Sequence, residues 1–161
     1  MIKIVSGGQT GVDRAALDAA LELGIPCGGW CPEGRLAEDG RIPERYPLKE
    51  LAGGGYAERT LQNVIDSDGT VIINFGELQG GTEQTLLFCV ERAKPHELIN
   101  AEKVSASKAA RLIRAFVTKH RVKTLNIAGP RHSKEARAYG YAYSALQLFL
   151  RDGVAGVTRT D

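Results

Sequence analysis

Charge of one sign is missing from this chain: 21 Lys and Arg stand against 19 Asp and Glu, leaving +2 over 161 residues. An excess so small excludes nucleic-acid binding by bulk charge, and no nucleic acid is expected among its partners. Long hydrophobic runs are also missing, so neither a membrane span nor a membrane partner is expected. Met1-Ile2-Lys3-Ile4-Val5 leads directly into a strand pattern. That leaves no room for a signal peptide and makes the cytoplasm the expected location. Cysteine is scarce and odd in number (Cys27, Cys31, Cys89), which argues against a disulfide framework. Three scattered histidines and the Cys27/Cys31 pair fall short of the four ligands of a structural zinc, and no metal site is expected. Repeats and low-complexity tracts are lacking too. What is present is an ordinary globular balance, 43% hydrophobic and 25% charged, in a length suited to one core. Residues 1–161 therefore read as a single domain.

Strand and helix patterns alternate. Ile2 to Val5 reads as a short buried strand and Asp13 to Leu23 as a helix whose Ala15, Ala16, Ala19 and Ala20 form a small-residue face. Gly24 and Pro26 end it, and Pro26 to Trp30 is a weaker strand. Helices are predicted over 58–65, 82–93, 107–120 and 133–151, and strands over 69–75, 97–100 and 124–128. Gly153 to Asp161 is expected to fray or pack as an extension. Alternation of this kind predicts an α/β, Rossmann-like fold, a mainly parallel sheet with helices on both faces. Trp30 to Lys49 breaks the pattern. It holds Pro32, Gly34, Gly40, Pro43 and Pro47 with no apolar period, and a loop so long inside a compact domain is functional or disordered.

Three strand-to-helix loops carry candidate chemistry. In Ser6-Gly7-Gly8-Gln9-Thr10-Gly11-Val12-Asp13-Arg14, glycines turn the chain tightly before a helix start. Free amides and the positive end of the helix dipole there favour an anion, and Arg14 can add a charge-assisted contact. The spacing is neither Gly-x-Gly-x-x-Gly nor a Walker A loop, and a purely structural turn is the competing reading. The second loop, Phe75 to Thr85, contains Gly80, Gly81, Thr82 and Glu83, with Thr82 as a candidate N-cap. The third is Ala128-Gly129-Pro130-Arg131-His132-Ser133, with Ser133 as the candidate cap. All three leave the carboxyl ends of parallel strands, so they converge on the edge where open α/β sheets bind ligands. The Trp30 to Lys49 segment is placed to cover that edge, making Arg35, Asp39 and Arg41 ligand candidates unless they are solvated loop charges. Arg59 either points toward the crevice or belongs to a solvated helix face with Asn63, Asp66 and Asp68. No acidic residue follows Gly28-Gly29-Trp30 to hold a ribose hydroxyl, which disfavours NAD. No nucleophile elbow is visible. Cys31 is either a reactive thiol or a buried structural residue, the commoner fate.

Gly7 to Ala20, Gly28 to Pro43 with its Trp30-Cys31-Pro32 core, Arg59 to Thr70, Gly80 to Thr82 and Ala128 to Arg131 together resemble the molybdenum-cofactor carrier family. The match extends across nearly the whole chain. That family lies in the SLOG superfamily of Rossmann-like nucleotide-ligand binders, related to the YpsA group and the LOG phosphoribohydrolases. The resemblance implies binding of the molybdenum cofactor, molybdopterin, a pterin with a terminal phosphate. The candidate binding residues are Gly7, Gly8, Gln9, Thr10, Gly11, Asp13 and Arg14 on the first loop. Gly80, Gly81, Thr82 and Glu83 on the second and Gly129 and Arg131 on the third complete the set. The LOG enzymes carry Gly-Gly-x-Gly-Thr-x-x-Glu with a catalytic Glu. Here Thr85 stands in that place, and Glu83 points elsewhere on the helix.

The expectation is therefore a binding protein for a phosphate-bearing small molecule, with no assigned catalytic residue. The alternatives are a nucleotide or nucleotide-derivative hydrolase using Glu83 or Asp13 as acid or base, and a nucleotide-sensing module. Self-association into a homo-oligomer is expected from the last helix. Ala138, Tyr141, Ala145, Leu148 and Phe149 form one apolar stripe there, and Tyr139, Tyr143, Leu146 and Leu150 a second.

Overall fold

The computed structural model describes residues 1–158. Five strands, β1 (Lys3–Val5), β2 (Cys27–Gly28), β7 (Gly69–Asn74), β8 (His96–Asn100) and β9 (Thr124–Ala128), form one sheet in the order β2-β1-β9-β7-β8. Every pairing in it is parallel. The helices are α1 (Val12–Glu22), α2 (Tyr56–Ile65), α3 (Gly80–Glu91), α4 (Ala106–His120) and α5 (Ala138–Thr158). The fold is thus α/β and Rossmann-like, as the alternation predicts. The sheet has one unusual feature: its last strand, β9, sits in the middle, between β1 and β7.

The main core joins Ile4, Val71, Ile73, Ile99, Leu125 and Ile127 of the sheet to α1, α4 and α5. The alanine face of α1 (Ala15, Ala16, Ala19, Ala20) is fully buried, because side chains this small let helix and sheet approach closely. α5 lies between α1 and α4, and Ala138, Ala142 and Ala145 are buried in those contacts. α2 and α3 pack together, with α3 against β7.

Several expectations need correction here. α5 begins at Ala138 rather than Ser133, and Ser133 caps no helix; its hydroxyl donates instead to Glu38 Oε2 at 2.5 Å. α5 runs on to Thr158, so part of the expected fraying segment is helical, while 159–161 lie outside the described residues. Of the second apolar stripe on α5, Leu146 and Leu150 are buried, Tyr143 is half-buried and Tyr139 is exposed. Leu148 of the first stripe is exposed as well, so α5 leaves one residue of each stripe at the surface.

The Trp30 to Lys49 segment is ordered. β3 (Trp30–Pro32) pairs in parallel with β6 (Lys49–Leu51), and β4 (Leu36–Ala37) pairs antiparallel with β5 (Gly40–Arg41). A second core of Leu17, Cys31, Ala37, Ile42, Tyr46 and Leu48 lies beneath it. Arg35 holds the segment together from inside. It donates Nε to Ile42 O (3.0 Å), Nη1 to Leu48 O (3.2 Å) and Nη2 to Pro43 O (2.8 Å) and Tyr46 O (2.9 Å). Its backbone is left-handed at φ 55°, a conformation those four bonds sustain.

Candidate functional site

β1, β9 and β7 are neighbours, so the loops leaving their carboxyl ends meet mid-sheet. Between them and α2 lies a crevice of about 690 Å3, within the usual range of small-molecule sites. Of the residues the sequence singles out, Gly7, Gln9, Asp13, Gly80, Gly81, Thr82, Gly129 and Arg131 line it. Gly8, Thr10, Gly11, Arg14 and Glu83 do not.

The first loop is turned into the protein. Gly8 N–H points at Ser6 Oγ (3.4 Å), Gln9 N–H at Asp13 Oδ2 (3.3 Å) and Thr10 N–H at Gln9 Oε1 (3.0 Å). Val12 N–H donates to Pro130 O at 3.3 Å. The expected anion contact to these amides does not match their placement, since their partners are already supplied. Gly8 and Gly11 have φ of 77° and 81°, and a Cβ on them would strike Leu48 and the Pro130 carbonyl respectively. These glycines serve a tight turn and close packing. Arg14 is likewise engaged, donating Nε to Gly8 O (3.2 Å) and pairing with Asp39 at 2.6 Å.

Nor does the long segment cover the crevice. Arg35 is buried in structural bonds, Asp39 pairs with Arg14, and Arg41 pairs with Glu44 at 2.6 Å. Glu38 at the β4–β5 turn fastens two loops instead. Its carboxylate accepts from the Thr10 hydroxyl and from Ser133 N–H (3.1 Å), and lies 3.4 Å from Arg131 Nε. Cys31 is fully buried and burial pushes its thiol up, which fits the structural reading.

The charged centre of the crevice is Asp13 with Arg59. Asp13 is 5% exposed. Burial pushes its carboxyl up to about 6, against the opposing pull of Arg59, the Gln9 amide, Arg14 and the Gly7 amide. Arg59 Nη1 stands 3.8 Å from Asp13 Oδ2 and donates to Thr60 Oγ1 at 2.9 Å. Its Nε is buried and, among the described residues, has no partner. The guanidinium lies against the face of Gly7, where any side chain would collide with it. Arg59 therefore points into the crevice, the minority reading of its sequence context.

The amino end of α3 lines the same crevice. Gln79 at its N-cap makes no side-chain bond, and a Cβ at Gly80 or Gly81 would meet nothing within 4 Å. Thr82 is the third residue of the helix and not its cap. Thr85, in the place of the hydrolase glutamate, is buried and donates Oγ1 to Gly81 O at 2.9 Å. Asn126, Lys134 and Tyr56 also line the crevice and were not singled out by sequence reasoning. A signal existed for Asn126: an amide in the otherwise apolar strand Thr124 to Ala128 needs a reason to be buried. Its Nδ2 donates to Thr70 Oγ1 at 3.3 Å.

An open parallel sheet with a polar crevice at its carboxyl edge, its last strand placed centrally, defines a protein of the Rossmann-like class. The profile of the circularly permutated YpsA SLOG family matches residues 4–150, and the chain belongs to that family. It is also similar to a solved structure named "Putative molybdenum carrier protein" from Syntrophus aciditrophicus SB. The identity is 48%, over 93% of this chain and 95% of that one, with a TM-score of 0.90. No curated protein matches.

Proposed function

We propose that the crevice holds a phosphate-bearing small molecule and that the chain serves as a molybdenum-cofactor carrier. The observation that carries this reading is the amino end of α3, without a side-chain cap, lining one crevice with Arg59. Amides of a helix start and a guanidinium with unused donors suit a phosphate. Arg131 and Lys134 add positive charge at the same edge. The relative named as a molybdenum carrier supplies the ligand class, and the crevice volume accommodates a pterin with a terminal phosphate. Mass spectrometry of small molecules that co-purify with the protein tests the ligand. Titration calorimetry with molybdopterin tests the site. Arg131→Ala is expected to weaken binding roughly ten- to a hundredfold, the loss of one charge-assisted contact. Unchanged affinity would remove Arg131 from the site.

A second reading has one observation in its favour. A buried carboxyl with its pKa near 6 is the usual form of a general acid, which suits cleavage of a nucleotide or nucleotide derivative by Asp13. Turnover of nucleoside monophosphates, abolished in Asp13→Asn, would put the hydrolase in place of the carrier.

A further inference from the structure

We infer that Asp13 selects the ligand of the crevice by charge state, because capture of a dianion beside Arg59 requires one proton to be bound at Asp13. This rests on the phosphate-site reading above. The geometry is that of a pair only partly formed. Asp13 Oδ2 and Arg59 Nη1 are 3.8 Å apart, too far for a hydrogen bond, and Arg59 Nε has no partner. Both side chains line the crevice, so an anion that engages Arg59 takes a place beside the Asp13 carboxyl. Two negative groups side by side, both largely withdrawn from water, cannot both remain fully ionised; one proton between them relieves the repulsion. The proton comes from solvent when the ligand is a permanent dianion, or arrives with the ligand when it is a phosphate monoanion.

The surroundings of Asp13 are consistent with this role. α2 presents Arg59 to it, the β1 loop presents the Gln9 and Gly7 amides, and its own helix presents Arg14, already paired with Asp39. From the β9–α5 loop Arg131, Lys134 and Glu135 line the same crevice, and from the β7–α3 loop Glu77 does. His132 follows Arg131 in sequence but does not line the crevice. Asp13 is the buried carboxylate of this set, and burial holds its pKa near 6. An anion that draws Arg59 away removes the largest opposing pull and raises it further. The sign of the coupling follows: affinity for a dianion rises as the pH falls from 8 toward 6, then levels once Asp13 is protonated in both states.

The test uses inorganic sulfate, which carries no titrating proton of its own between pH 5 and 8. Calorimetry at pH 7 in two buffers of different ionisation enthalpy counts the protons taken up on binding. The expected result is uptake approaching one proton per sulfate, with binding at least tenfold tighter at pH 6 than at pH 8. Asp13→Asn is expected to bind sulfate without proton uptake and with equal affinity at both pH values. Asparagine keeps an acceptor for the Gln9 amide; should the variant fail to fold, the proton count on the unmodified protein decides alone. Sulfate binding with no proton uptake and flat affinity overturns the coupling and leaves the anion site standing. Proton uptake that persists in Asp13→Asn overturns the assignment to this residue. No sulfate binding at any pH, in either protein, overturns the phosphate-site reading and the inference with it.

Discussion

Asp13 is held against its ionisation preference, and that has a consequence for folding. Its carboxyl sits near 6 in the native protein and near 3.9 when unfolded. Between those values the native state binds more protons than the unfolded chain, so stability is full below about pH 4 and falls as the pH rises through 6. A difference of two units costs about 3 kcal/mol at neutral pH. Asp13→Asn is therefore expected to raise the unfolding free energy by about 2–3 kcal/mol at pH 7.5 and by nearly nothing at pH 4. Urea unfolding at the two pH values measures this. Equal stability changes at both would show that the native carboxyl carries no ionisation cost. A residue that destabilises the fold while lining its main crevice fits a functional role better than a structural one. Arg59 makes the complementary case. Its sequence context offers a solvated helix face as readily as a crevice, and only the passage of α2 over Gly7 decides between them.

Among the elements, the two Gly-rich loops look alike in sequence and differ in space. Gly8 has φ 77° and lies against Leu48 and Ile42, so a side chain there strains the backbone and collides with the second core. Gly81 opens onto free space at the start of α3. Gly8→Ala is expected to cost about 2–3 kcal/mol in thermal or urea unfolding. Gly81→Val should leave stability within about 0.5 kcal/mol, since valine and glycine differ little in helix propensity. It should weaken sulfate binding at least tenfold by standing before the α3 amides. A Gly81→Val protein that binds sulfate normally would clear α3 of any part in the site. The regular elements were legible in the sequence because their apolar periods are local. β9 falls on 124–128 as predicted, and α1 and α4 lie within a residue of their predicted bounds. The Trp30 to Lys49 segment was not. Its apolar residues (Cys31, Ala37, Ile42, Tyr46, Leu48) follow no period and are gathered only by the long-range bonds of Arg35 and by Leu17 from α1. The site was half legible for a similar reason. Glycine spacing marks where a chain turns, but which amides remain free depends on partners such as Gln9 Oε1, Asp13 Oδ2 and Pro130 O that only the folded loops bring together.

Across the whole molecule, the larger apolar surface open to self-association lies on α3 and the edge strand β8, not on α5. α5 is occupied by α1 and α4. Among the described residues, Leu87 (52% exposed) and Val90 (60%) project from α3, and Leu98 (44%) from β8. Ile99 belongs to the main core with α4, so Leu98, its neighbour along the strand, points to the other face of the sheet. β8 is a five-residue edge strand with one side unpaired, whereas the other edge, β2, has only two residues. An open edge beside exposed leucine and valine is a surface that soluble proteins ordinarily cover. A homodimer through α3 and β8 is therefore the expected state at tens of micromolar, seen as twice the chain mass in sedimentation or light scattering. Leu87→Glu combined with Val90→Glu should return the monomer without loss of helix signal, because both side chains face outward and neither contributes to the core. A monomeric mass for the unsubstituted chain would refute self-association outright. A dimer that survives the double substitution would place the interface elsewhere.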